Sequence, residues 1–97
     1  MQRKLLTIIT EASLERRLIA GIKQRGAHGY TITEAYGEGS RGVRESGFEK
    51  AGNIRVEVVC DSSVAERIAN WLREHYYRDY AMILFLQDVE VMRPEKF

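Results

Sequence analysis

Residues Gly37–Gly52 read GEGSRGVRESGFEKAG and separate two segments with strand character, Gly29–Tyr36 and Asn53–Cys60. Five residues of this stretch are glycine: Gly37, Gly39, Gly42, Gly47 and Gly52. Connections within a hairpin usually take about two to five residues, and a much longer one is either a working loop or a linker. Linker composition is glycine and serine with little charge. Here Arg41, Arg44 and Lys50, three glutamates and Phe48 are interleaved with the glycines. Glycine lets backbone N–H groups turn toward an anion, and the arginine fork matches phosphate or carboxylate oxygens. The stretch reads as the ligand-sensing part of the chain, with the rest as its scaffold.

Working outward, Asn53–Cys60 shows the cleanest alternation. Ile54, Val56 and Val58 point one way, with Arg55 and Glu57 on the other side, the pattern of a half-buried strand. Leu5–Thr10 is short, apolar and β-branched, and predicts a buried first strand. Between them, Glu11–Arg25 carries Leu14, Leu18, Ile19 and Ile22 at helical spacing. Thr10 is placed to cap that helix and Gly26 to end it, while Gly21 in its interior costs about 1 kcal/mol relative to alanine unless close packing requires it. Asp61-Ser62-Ser63 opens a second helix running to about Tyr77, with Ser63 and Glu66 at capping-box spacing. A last strand is expected over Ala81–Met92, with an irregular tail over 93–97 after Pro94.

The order β-α-β, long loop, β-α-β predicts one α+β domain over residues 1–97. It is ferredoxin-like, a four-stranded antiparallel sheet with two helices on one face. The other face then needs cover, and Tyr30, Thr31 or Val59 is expected there, so self-association through it is expected as well.

Fifteen basic and fourteen acidic residues leave a formal charge of +1, which does not suit a protein that coats nucleic acid. The lone cysteine, Cys60, allows no internal disulfide, and no Cys/His spacing suits zinc. The apolar part of MQRKLLTIIT is too short for a signal-peptide core, and nothing approaches the ~20 apolar residues of a membrane span. Cytoplasmic residence is the expectation. His28 and His75 lack partners for catalysis or metal binding, no paired carboxylates suit acid/base work, and Cys60 reads as a small buried hydrophobe. Trp71, Tyr76, Tyr77 and Tyr80 read as core or interface packing.

Three segments carry a resemblance to a known family: GAHGYT over residues 26–31, Gly39-Ser40-Arg41-x-Val43-Arg44 followed by Ser46-Gly47, and Asp79-Tyr80-Ala81 before the last strand. Together they resemble the PII-like signalling proteins of inorganic-carbon metabolism, the SbtB-type and carboxysome-associated members of the PII superfamily. The similarity runs from Leu5 to Val91. It implies a homotrimer with adenine nucleotides (AMP, ADP, ATP or cyclic AMP) in the clefts between subunits, and bicarbonate as a further ligand. The loop between the second and third strands corresponds to the family's T-loop. By position, the resemblance makes Ser40, Arg41 and Arg44 phosphate contacts and gives Gly37 and Gly39 close backbone approach. Tyr30 and Thr31 on strand two, with Ala81 and Met82 on strand four, flank adenine or ribose. It implies no catalytic residue and no metal, and as partner a bicarbonate transporter or a carboxysome-related protein.

The chain departs from nitrogen-regulatory members in two ways. Tyr77-Arg78-Asp79-Tyr80 is short and lacks their glycine- and lysine-bearing phosphate loop, and Phe48 is the only aromatic residue where they carry a modifiable tyrosine. The chain ends at Phe97 without the cysteine-bearing extension of some SbtB-type proteins, so redox switching is not expected. Two other classes make different demands. A phosphoanhydride hydrolase would want a Walker lysine or an acidic metal cluster, and an RNA-binding ferredoxin-like module would want aromatic pairs on its central strands and a basic face.

Overall fold

A computed structural model of the chain describes residues 2–37 and 52–96. Four strands, β1 (Gln2–Glu11), β2 (Thr31–Ala35), β3 (Asn53–Cys60) and β4 (Ile83–Glu90), form one antiparallel sheet in the order β2-β3-β1-β4. Helices α1 (Glu15–Gln24) and α2 (Ser62–His75) supply the apolar side chains that cover one face. This is the βαββαβ arrangement that the sequence predicts. The register Leu6↔Val58, Ile8↔Val56 and Thr10↔Ile54 stacks the inward side chains of β1 and β3 in pairs. With Leu14, Leu18 and Ile22 of the first helical segment and Val64, Ala65, Ile68 and Leu72 of α2, they make the core. Each large apolar side chain sequestered there contributes about 1.5–3 kcal/mol.

Several boundaries differ from the sequence reading. β3 falls where expected, but β1 is longer at both ends because pairing on two sides, with β3 and β4, extends it past its apolar run. β2 and β4 are shorter, so Tyr30 precedes β2, and Ala81 and Met82 precede β4. Thr10 does not cap the first helix. The chain stays extended through Glu11 and turns through a 3₁₀ segment, Ala12–Leu14, before α1 starts at Glu15. The Thr10 hydroxyl is committed elsewhere, donating to the carbonyl of Ala81. Nor does Ser63 form a capping box. Asp61, extended at φ −78° and ψ 170°, is the N-cap of α2 and accepts the backbone N–H of Val64 at 2.9 Å. Ser63 Oγ donates to the same carboxylate at 2.9 Å, so it supports the cap rather than being it. The tail is not wholly irregular, since Pro94–Lys96 forms a short 3₁₀ turn.

The end of α1 follows the expectation for Gly26. At φ +111° this residue occupies backbone space that favours glycine. Its N–H reaches the carbonyl of Lys23 and the next N–H, of Ala27, reaches that of Ile22, each at 3.1 Å. This is the paired-bond pattern of a Schellman end. Arg67 of α2 then donates through Nε and Nη2 to the Arg25 carbonyl at 3.3 and 3.1 Å, tying the two helices together.

Gly21 is explained by Trp71. A β-carbon at residue 21 would overlap the ring atoms Cη2, Cζ2 and Cζ3 of the indole. That ring is held on its other sides by Arg25 (guanidinium carbon 4.1 Å from the ring centroid) and Tyr76 (edge-on, centroids 5.6 Å apart). Gly21→Ala should therefore destabilise the protein by about 1–2 kcal/mol net of the helix propensity it gains. Urea unfolding checks this, and a variant as stable as the parent contradicts it.

The Asp61 cap gives a pH-dependent expectation. Accepting the Val64 N–H, and then the Ser63 hydroxyl, holds its carboxyl below the ordinary value of 3.8. A depressed carboxyl contributes stability that is present above the unfolded pKa and lost as pH falls through the folded one. Asp61→Ala should lower the thermal midpoint at neutral pH, and the gap from wild type should close only below about pH 4. A gap independent of pH down to about 2 would contradict the charged cap.

Candidate functional site

Strand direction brings four chain segments to one end of the sheet. Asn53 at the start of β3 is opposite both Glu11 at the end of β1 and Ala35 at the end of β2, and Ile83 at the start of β4 is opposite Ile9. Gly37, Gly52, Ala81 and Met82 are each within two residues of those strand ends, so the chain path delivers them to the same end. Gly52, at φ +108°, also needs glycine's backbone freedom, and its carbonyl accepts the N–H of Ala12. That bond ties the return of the long connection to the end of β1. Gly39, Ser40, Arg41 and Arg44 lie outside the described residues.

Tyr30 and Thr31 lie elsewhere. Thr31 belongs to a row running across the whole sheet on the uncovered face, Thr31–Glu57–Thr7–Phe85. β2 and β4 are the two outer strands, separated by three inter-strand steps of about 4.8 Å, roughly 14 Å in all. The structure thus brings Gly37 to the same end of the sheet as Ala81 and Met82, but Gly37, Tyr30 and Thr31 all belong to the β2 edge, opposite the β4 edge of Ala81 and Met82. Within one chain these residues do not form a single pocket.

The uncovered face also carries unfinished chemistry. Thr31 and Val59 lie there as expected, together with Leu5, Ile9 and Arg55, whereas Tyr30 stands just outside the strand. Arg55 Nε and Glu57 Oε2 pair at 3.1 Å across this surface. Ile83 and Phe85 on the outer strand β4 are 41% and 39% exposed. Among the described residues, Thr7 Oγ1 and Arg3 Nε are buried side-chain atoms with no hydrogen-bond partner. Buried polar groups are normally satisfied, and both of these atoms belong to β1.

The approach to Ala81 and Met82 is held firmly. After α2, the N–H groups of Asp79 and Tyr80 both reach the Tyr76 carbonyl, at 3.2 and 3.0 Å. The Tyr76 and Tyr80 rings pack with centroids 5.7 Å apart, and Arg17 of α1 lies 6.0 Å from each. Arg17 Nη2 donates to the Tyr80 hydroxyl at 3.4 Å, and this partner raises the pKa of an already strong base. Trp71, Tyr76 and Tyr80 therefore pack as the sequence predicts, while Tyr77 stays 44% exposed. One further residue matters here. Thr10 is fully buried and its Oγ1 donates to the Ala81 carbonyl at 3.2 Å. Sequence reasoning missed this contact because it joins residues far apart in the chain, and only the pairing of β1 with β4 reveals it.

The other singled-out side chains are ordinary structural groups. Cys60 is buried in the core, and burial pushes its thiol up to about 11, leaving little thiolate at neutral pH. His28 is exposed, and His75 Nδ1 lies 3.0 Å from the Trp71 carbonyl near the end of α2. Among the described residues, no three His, Cys, Asp or Glu side chains are grouped to hold a metal ion.

The sequence model of a family described as "Nitrogen regulatory protein P-II" matches residues 3–96. A protein from Thermus thermophilus, described as PII-like and signalling, is 46% identical. Its crystal structure superposes with a TM-score of 0.84, covering 100% of this chain and 96% of that one. Two structures of the protein CPII from Thiomonas intermedia are each 23% identical, with TM-scores of 0.85. One, bound to ADP and bicarbonate, covers 100% of this chain and 95% of that one, and the other, bound to ADP, AMP and acetate, covers 99% and 94%.

Proposed function

This chain belongs to the nitrogen regulatory P-II family, and on that footing we propose that it is a non-enzymatic, homotrimeric signalling protein that senses adenine nucleotides. The observation that carries the reading is the split of the candidate site. Tyr30 and Thr31 sit on the β2 edge, Ala81 and Met82 on the β4 edge, and the sheet between them is uncovered on one face. Copies associating through that face set the β2 edge of one beside the β4 edge of the next. Each such seam then has both halves of a nucleotide site. The exposed Ile83 and Phe85 favour such an association.

In this reading the nucleotide base and ribose lie between Tyr30 and Thr31 of one copy and Ala81 and Met82 of another. Gly37 and Gly39 let the backbone approach the phosphates, which Ser40, Arg41 and Arg44 receive. AMP or ADP is the first choice of ligand, with ATP and cyclic AMP as further candidates, since CPII was crystallised with ADP and AMP. Bicarbonate, present with ADP in another CPII structure, is proposed as a second ligand. A small planar oxyanion suits arginines and loop amides beside a phosphate. If both ligands act on one loop, their affinities are linked reciprocally. The loop over 37–52 would then report ligand state to a partner in inorganic-carbon uptake or fixation, a bicarbonate transporter or a carboxysome-related protein. Among the described residues no helix is long and apolar enough to cross a membrane.

Calorimetric titration with AMP, ADP, ATP and cyclic AMP, each with and without bicarbonate, tests this. One nucleotide per subunit is expected. Arg41→Ala and Arg44→Ala should each weaken binding by about tenfold or more while the mass measured by light scattering stays trimeric. Unchanged affinity in both variants would remove the phosphate assignment, and steady release of ADP or AMP from ATP would replace the sensor with a hydrolase.

A further inference from the structure

From the contact between Thr10 and Ala81 we infer that Thr10 is a positioning residue for the nucleotide, its hydroxyl fixing the backbone that presents Ala81 and Met82 to the ligand. The inference rests on the proposed nucleotide site and extends it to a side chain that does not touch the ligand.

The pairing of β1 with β4 ends at Ile9↔Ile83. Continued by one and two residues, it would set Met82 opposite Thr10 and Ala81 opposite Glu11, but the ladder stops short of both. On the other side, the turn after α2 is closed through Tyr80 by two N–H groups on the Tyr76 carbonyl and by the packing of Tyr80 against Tyr76 and Arg17. The chain is therefore held up to Tyr80 and again from Ile83. Ala81 and Met82 form a two-residue gap between these anchors, each partly exposed, with the Met82 side chain against the core. Among the described residues, the one side-chain hydrogen bond into this gap comes from Thr10 Oγ1 to the Ala81 carbonyl, at 3.2 Å.

The chemistry of residue 10 supports the same assignment. Its inward-facing neighbours on β1 are Leu6 and Ile8, and its partner on β3 is Ile54. Valine has the shape of threonine and would fill a fully buried site among such residues without bringing a hydroxyl that requires a partner. The hydroxyl is satisfied only by reaching past the end of the ladder to Ala81. It replaces a strand–strand bond with a side-chain bond and leaves the Ala81–Met82 segment aligned with β4 but outside the sheet.

Thr10→Val and Thr10→Ser separate this from a packing role. Thr10→Val keeps the volume and loses the hydroxyl, so it should weaken ADP and AMP binding by about fivefold. Thr10→Ser keeps the hydroxyl and loses a buried methyl, so it should bind as wild type does while melting at a lower temperature. Backbone amide exchange over residues 80–84 should quicken in Thr10→Val and not in Thr10→Ser, with or without nucleotide. If wild type binds and Thr10→Val matches it, or if affinity simply follows melting temperature across both variants, the positioning role is overturned while the nucleotide site stands. If wild type binds neither nucleotide, the site itself fails, and the inference falls with it.

Discussion

A four-stranded sheet covered by helices on one face only, with β2 and β4 as its outer strands, is the constraint on which the rest depends. Covering one face builds a core from Leu6, Ile8, Val56, Val58 and the inner sides of two helices, which is enough to fold a chain of this length. It also leaves a second face with aliphatic and aromatic side chains, an Arg55–Glu57 pair and a buried threonine hydroxyl lacking a partner. An edge strand as apolar as Ile83-Leu84-Phe85-Leu86 invites pairing or packing with another chain. In the proposed trimer, that same incompleteness makes the ligand site, because the residues expected to hold a nucleotide lie on edges that a single chain cannot bring together.

The helix layer keeps this frame rigid. Trp71 fills the space that glycine at residue 21 leaves open and carries Arg25 on its ring, and Arg67 reaches back to the Arg25 carbonyl. At the other end of α2, Tyr76 and Tyr80 with Arg17 hold the turn that leads into β4. The two helices are thus joined at both ends by arginine and aromatic contacts rather than by exposed ion pairs, which contribute little.

Much of this was legible in the sequence, for identifiable reasons. The alternation Ile54, Val56, Val58 places β3 to the residue, because period-two burial leaves no other reading. Gly26 ends α1 because only glycine is comfortable at that backbone angle. The motifs in and around Gly37–Gly52 pointed to the family, although most of that stretch lies outside the described residues. What was not legible depends on register. Thr10 looks like a helix cap when only its neighbours are known, and becomes the partner of Ala81 once β1 lies beside β4. Ser63 has capping spacing, but the carboxylate of Asp61 takes the N–H first. The placing of the residues of the proposed site on opposite edges follows from strand order, which local patterns do not encode.

The measurement that bears most directly on the shared site is complementation between two defective copies. Tyr30→Glu puts a negative charge on the β2 edge, and Ala81→Glu puts one on the β4 edge. Each variant alone is predicted to form trimers that bind no ADP. Co-expressed and purified together, the two should recover ADP binding in about one cleft in four, where an intact β2 edge meets an intact β4 edge. Mixed trimers that bind no more ADP than either variant alone would contradict a site built between subunits.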